Sequence, residues 1–225
     1  MSLDAILIKK WGDYRRYYTT FPYPNEKIDA ISAGMNINET DDVIAVCSSG
    51  DAAFAMLEKA NSVVAVDNNR LQVEYAQERA SLLAAGNIEA FLHLGDCTSG
   101  YSWIGKKKVV AYFSTERLER VRQRLGRLEI KHVKDFMDEV KEGRFSKAYL
   151  SNIISYSKSR TNVSERKAYV EKIASMLKNP GLVYITDGGA INAYECPAIT
   201  ADEALTEKAR LLETKWHPVV VRRRT

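Results

Sequence analysis

Cysteine and histidine are scarce in this chain, three of each in 225 residues. Cys47, Cys97 and Cys196 are odd in number and scattered, which leaves no disulfide framework and no CxxC pair for a metal. His93, His132 and His217 stand equally apart. Proline is rare too, at 5, and with 12 glycines and no low-complexity run the composition is not that of long disorder. No apolar run approaches the roughly 20 residues that a membrane-spanning helix needs. The basic pair Lys9-Lys10 follows the first apolar stretch, the reverse of a secretory leader. A net charge of +4 is mild and does not by itself imply a nucleic-acid partner. What is left is an ordinary globular balance, 45% hydrophobic and 28% charged, expected of one soluble, cytoplasmic domain over residues 1–225.

Aromatics are what the first forty residues have in plenty. Trp11, Tyr14, Tyr17, Tyr18, Phe21 and Tyr23 lead into Phe21-Pro22-Tyr23-Pro24, where two prolines forbid a continuing helix. An N-terminal arm is expected over 1–41, with a helix near Leu3 to Thr19, an ordered loop, and a short helix near Glu26 to Ala33 stopped by Gly34. The aromatics suit packing of this arm on a core; their planes also suit a wall or lid beside a ligand.

The most informative stretch is Asp42-Val43-Ile44-Ala45-Val46-Cys47-Ser48-Ser49-Gly50-Asp51. It predicts a buried strand, a turn of small residues, and a helix from Ala52 to Ala60. A second apolar strand, Ser62 to Val66, is closed by Asp67, and a helix follows over Asn69 to Ala85. Strand, tight turn at a helix start, and an acid ending the next strand make a nucleoside-binding half-site in a parallel sheet. The plain alternative is an α/β domain in which an acid ends a strand by accident.

Residues 88–128 break this rhythm and are expected to form an insertion over the site. Ile88 to Leu94 is a strand or a helix. Ser114 to Leu128 is a basic helix with Arg117, Arg120, Arg122, Arg124 and Arg127, either a solvated face or a phosphate contact. The alternation returns with a strand at Glu129–Val133, a helix from Lys134 to Glu142, and a strand and turn over Phe145–Ile154. A helix over Ser164–Leu177 with a half-formed cap comes next, then a strand at Leu182–Asp187, a helix at Ala201–Thr214, and a last strand at Trp216–Arg222. The fold class is therefore α/β, a Rossmann-like, doubly wound and mostly parallel sheet.

The turn argues against two common ligands. It carries one glycine, not the G-x-G-x-x-G that brings backbone close to a pyrophosphate, and no Walker A pattern is present. Asp51 at the helix start puts a negative charge where an anion would bind, which favours a cationic ammonium or sulfonium. Asp67 suits a ribose diol, since a carboxylate accepts from both hydroxyls. Together these point to S-adenosylmethionine.

Val43 to Ala53 and Ser62 to Gln72 resemble the first two motifs of class I S-adenosylmethionine-dependent transferases. Within them the chain most resembles the S-adenosylmethionine:diacylglycerol 3-amino-3-carboxypropyl transferases of betaine-lipid synthesis. The matching segments are Ser49-Gly50-Asp51-Ala52-Ala53, Val66-Asp67-Asn68-Asn69-Arg70-Leu71-Gln72 and Leu150-Ser151-Asn152-Ile153. Ala52 stands where that family has Asn, and Asn69-Arg70 replaces its Asn-Pro. The resemblance implies that Cys47, Ser48, Ser49 and Gly50 meet the methionine part of the cofactor, with Asp51 near its amino group or sulfonium. It further implies Asp67 on the ribose, Asn68 beside the adenine, and Asp135 accepting from the adenine amino group. Asp96 competes with Asp135 should Ile88–Leu94 be the third strand. Ser151 and Asn152 end the fourth strand where donor and acceptor meet, and Tyr156 and Asn152 are the catalytic candidates. The reaction implied is aminocarboxypropyl transfer to a small-molecule or lipid-like acceptor, with methyl transfer as the alternative. A non-catalytic sensor and a nucleic-acid modifier are further alternatives; the basic residues lack the interleaved aromatics that the last would use. No metal is expected, and the oligomeric state is left open.

Overall fold

The computed structural model describes residues 22–94, 102–156, 162–186 and 190–224, with backbone alone for 102–104 and Tyr156. The expected helix over Leu3–Thr19, the aromatics up to Phe21, and Asp96 lie outside the described residues.

Seven strands form one sheet in the order β3-β2-β1-β4-β5-β7-β6. They are β1 (Asp42–Val46), β2 (Ser62–Asp67), β3 (Leu128–His132), β4 (Lys147–Ser151), β5 (Leu182–Ile185), β6 (Ile199–Ala201) and β7 (Val219–Arg223). The five strands from β3 to β5 are parallel, and β7 runs antiparallel to both β5 and β6. This is the doubly wound, mostly parallel sheet expected from the sequence. The chain starts at β1 in the middle and winds outward both ways, so the switch in direction falls between β1 and β4. Open α/β sheets bind their ligands in the crevice beyond the strand ends at such a point.

The central strands read as unbroken apolar runs because both faces are covered. Val43 and Ala45 of β1 turn to one core with Val63, Ala65, Tyr149 and Tyr184; Ile44 and Val46 turn to the other with Val64, Val66, Leu150 and Ile185. The first face receives α1 (Ile28–Met35), α2 (Asp51–Leu57), α3 (Arg70–Ala84), α4 (Ile88–His93), α5 (Ser102–Tyr112), α6 (Thr115–Gln123) and α9 (Glu203–Leu212). The second receives α8 (Val163–Met176), after the single turn α7 (Ile153–Tyr156).

Of the two readings of Ile88–Leu94, the helix holds, over Ile88–His93, and β3 is the segment beginning at Leu128, near the strand expected at Glu129–Val133. Other expectations need correction. The helix expected after Asp135 is only a 3-10 turn, Phe136–Asp138, closed by a capping box between Asp135 and Asp138. The cap of α8 is Asn162 paired with Glu165, a complete capping box two residues upstream of Ser164. Gly34 does not stop α1; the left-handed Asn36 does. Gly34 instead lets the helix lie on the sheet, since a Cβ there would overlap the Tyr184 ring. The sequence reading missed β6 altogether.

Among the described residues of 88–128, none lines the cavity described below. The segment packs on the helical layer, with Phe91, Val109, Tyr112, Leu118 and Val121 in the core. Its basic helix is absorbed there: Arg117 and Arg120 pair with Glu58 at 2.9 and 2.7 Å, and Arg124 donates to the Lys59 and Ala60 carbonyls. These cations meet the free carbonyls and negative end of α2, where positive charge is favourable.

Both edges of the sheet are protected. On β3, Glu129 and Lys131 pair with each other at 2.8 Å, and Lys131 also pairs with Glu139 at 3.1 Å. On β6, three residues long, the Ala201 N–H donates to the Glu195 carboxylate at 3.3 Å.

Candidate active site

A cavity of about 570 Å³ opens beyond the C-terminal ends of β1, β2 and β4. That volume is within the roughly 300–1,000 Å³ usual for small-molecule sites. Cys47, Ser48, Ser49, Asp67, Asn68, Asp135, Ser151 and Asn152 all line it.

The turn after β1 is held from three sides. The Cys47 carbonyl accepts from the Gly50 N–H at 2.7 Å. Ser48 lies in the left-handed region at φ 46°, and its N–H donates to Asp67 Oδ2 at 2.9 Å. Gly50, at φ 86°, starts α2, and a Cβ there would fall 2.8 Å from Phe54. The position therefore needs glycine for both its backbone and its space.

Asp67 accepts a second backbone bond, from Asn69 at 2.9 Å through Oδ1. These two bonds use about half of a carboxylate's four acceptor sites. Burial raises its carboxyl above the ordinary value, against the N–H groups of Asn69, Ser48 and Asn68 and the nearby His132, which act the other way. Burial likewise pushes the Cys47 thiol well up, with Asp67 adding to the effect. A thiol held protonated in this way suits Cys47 to a neutral part of the cavity wall.

Asp51 requires the main correction. Its side chain is fully buried, absent from the cavity wall, and paired with Arg79 of α3 at 2.7 Å. Ser49 Oγ donates to its other oxygen at 2.5 Å. Arg79 also donates to the Ser49 carbonyl at 2.8 Å and to the Phe91 carbonyl at 3.2 Å, and its guanidinium lies 4.4 Å from the Phe91 ring centroid. The expected partner of a ligand cation is thus neutralised from within the protein. Gly50 too lies behind the wall. Arg79 was only one charge among several on a helix in the sequence, with nothing to mark it as buried.

Ser151 ends β4 at φ 50°, where the register to β5 shifts. Among the described residues four non-glycine positions have positive φ, and two of them, Ser48 and Ser151, line this cavity. Such conformations cost about 1–3 kcal/mol each and gather at functional sites. At the opposite end, Asp135 caps the turn through the Met137 N–H and accepts from Tyr169 Oη, both at 2.9 Å. The side chain of Tyr156 lies outside the described residues.

Sequence reading missed Glu26. It lines the cavity, is 3% exposed, and gathers three hydroxyls. Ser151 Oγ and Thr186 Oγ1 (3.0 Å) donate to Oε1, and Tyr149 Oη (2.8 Å) donates to Oε2. Burial raises its carboxyl above the ordinary value although those hydroxyls oppose the shift. An acid after Pro22-Tyr23-Pro24 carries no motif; only the docking of Pro24 to Glu26 against β4 and β5 reveals it.

No family model and no curated protein sequence matches the chain. Among solved structures, the cyclase SpnF is similar over 97% of this chain and 92% of its own length, with a TM-score of 0.52 at 10% identity. A tRNA methyltransferase from Aquifex aeolicus gives a TM-score of 0.41 at 16% identity, over 75% of this chain and 49% of its own. A SAM-dependent methyltransferase from Thiobacillus denitrificans in complex with S-adenosyl-L-homocysteine gives 0.44 at 13% identity, over 79% and 54%. This chain spans about half the length of those two methyltransferases. The likeness to SpnF concerns the fold and leaves the chemistry to the site.

Proposed function

We propose that the cavity binds S-adenosylmethionine and that the chain is an S-adenosylmethionine-dependent transferase, with methyl transfer as the leading reaction. One observation carries this reading: Asp67, at the end of β2, is clamped beneath the Ser48 turn with acceptor capacity left over, one strand from the switch between β1 and β4. The donor set fits the ligand. The Cys47–Ser49 turn offers close backbone at the centre. Asp67 offers acceptors for a ribose diol, Asp135 and Asn68 offer polar edges for adenine, and Ser151 and Asn152 border the place of transfer.

The cofactor supplies a sulfonium whose attached carbons are open to in-line displacement. The protein's part is to align an acceptor and exclude water. Asp67 fixes the adenosine and the strained Ser151 fixes the far wall. The acceptor is read as a small molecule or a lipid-like one. Among the described residues no helix is long and apolar enough to cross a membrane.

Aminocarboxypropyl transfer is the second reading. It is favoured by the resemblance at Leu150-Ser151-Asn152-Ile153, three residues of which border the cavity. Incubation with S-adenosylmethionine and a fractionated acceptor pool separates the two. S-adenosylhomocysteine as product supports methyl transfer and methylthioadenosine supports the alternative. Absence of cofactor binding by calorimetry refutes both.

A further inference from the structure

We propose that Glu26 receives the primary ammonium of the cofactor's amino-acid arm, and that Glu26, Ser151 and Tyr149 form an acceptor-only wall selective for that cation. This inference rests on the reading of the cavity as an S-adenosylmethionine site.

A hydroxyl has one proton and two lone pairs, and an ionised carboxylate only accepts. Ser151, Tyr149 and Thr186 all direct their protons at Glu26. The oxygens of Ser151 and Tyr149, which line the cavity with Glu26, keep lone pairs as acceptors, and the carboxylate keeps about one of its four acceptor sites. An ammonium, with three N–H donors and no acceptor, complements such a wall; a sulfonium has no N–H to offer.

Charge points the same way. A buried anion with no cation beside it costs several kcal/mol. Among the described residues no lysine, arginine or histidine forms an ion pair with Glu26. Lys108 of α5 feels its charge but donates to the Asn25 carbonyl. Glu213, after α9, repels it, and among the described residues the other titratable groups facing it are Tyr149 of β4 and Tyr184 of β5. Glu26 does not cap α1 either, where Lys27 holds the cap position without a side-chain bond. Its carboxylate serves the cavity, on the β4–β5 side, and takes the role that the sequence had assigned to Asp51.

The test compares S-adenosylmethionine, S-adenosylhomocysteine and methylthioadenosine, which lacks the amino-acid arm, by calorimetry on wild type and Glu26→Gln. The two ligands with an ammonium are expected to weaken roughly 10- to 100-fold, the range of a charged hydrogen bond, while methylthioadenosine changes less than about twofold. Equal loss for all three ligands, loss confined to S-adenosylmethionine, or no loss overturns the inference. If wild type binds none of them, the cofactor reading itself falls and takes the inference with it.

A second arm uses unmodified protein, should Glu26→Gln fail to fold. A cation lowers the carboxyl's raised pKa, so S-adenosylhomocysteine binding should release protons just above the ordinary carboxylate range. Methylthioadenosine, which meets Asp67 but not Glu26, should release fewer. Titrations in buffers of different ionisation enthalpy read the difference, and equal release overturns the proposal.

Discussion

Replacing Arg79 by methionine would leave the Asp51 carboxylate sealed from water without a cation, and the Ser49 and Phe91 carbonyls without their donor. Removing one partner of a buried ion pair typically costs about 3–5 kcal/mol. That is a large share of the roughly 5–15 kcal/mol by which domains are stable. Urea unfolding gives the loss directly from the shift in midpoint at constant slope. The double variant Arg79→Met with Asp51→Asn should recover part of it, because the uncompensated charge goes with the cation; the two losses then sum to more than the pair. The Ser49 turn loses its anchor in every case, so S-adenosylhomocysteine affinity should fall in the single and the double variant alike. A loss below about 1 kcal/mol for Arg79→Met would refute the reasoning. So would an Asp51→Asn protein of unchanged stability that no longer binds ligand, the behaviour of an acid facing a ligand cation.

Asp67→Ala should weaken S-adenosylhomocysteine binding by about 100-fold or more, since it removes the charged acceptor for the diol and the clamp on the Ser48 N–H together; calorimetry checks this, and unchanged affinity refutes the site. Glu58→Gln should cost about 1–2 kcal/mol in urea unfolding, because Arg117 and Arg120 are both half-exposed, and should leave ligand affinity untouched. Glu26 and Asp67 both have carboxyls raised by burial, so the folded ligand-free protein holds their protons more tightly than the unfolded chain. Their contribution to stability is full below the ordinary carboxylate value and is lost as pH rises through the raised values. Thermal unfolding of Glu26→Gln should show a flatter dependence over that window.

The sheet was legible in the sequence because buried parallel strands are continuous apolar runs bounded by small turns, and Val43–Val46 and Val63–Val66 are of that kind. Asp67 was legible as an acid closing such a run. Asp51 was legible as sitting at a helix start, but not as turning its carboxylate to Arg79 instead of the cavity. Periodicity places a residue on a face of its own helix but does not say which distant side chain meets it, here Arg79 from 28 positions away. Glu26 was illegible for the same reason, since its three hydroxyl partners come from β4 and from beyond the end of β5. The 3-10 turn after Asp135 and the three-residue β6 were too short for any period to show.

The two guarded margins of the sheet limit how copies of this protein can meet. A bare margin recruits a second strand by backbone hydrogen bonding, which is a route to dimers and to fibres alike. Here Glu129 and Lys131 would have to shed water and their ion pairs before another strand could align with β3, and Glu195 already satisfies an outward amide of β6. Association by sheet extension is thus disfavoured at both sides, and the pairing that joins β3 to β6 within one copy does not extend readily to the next.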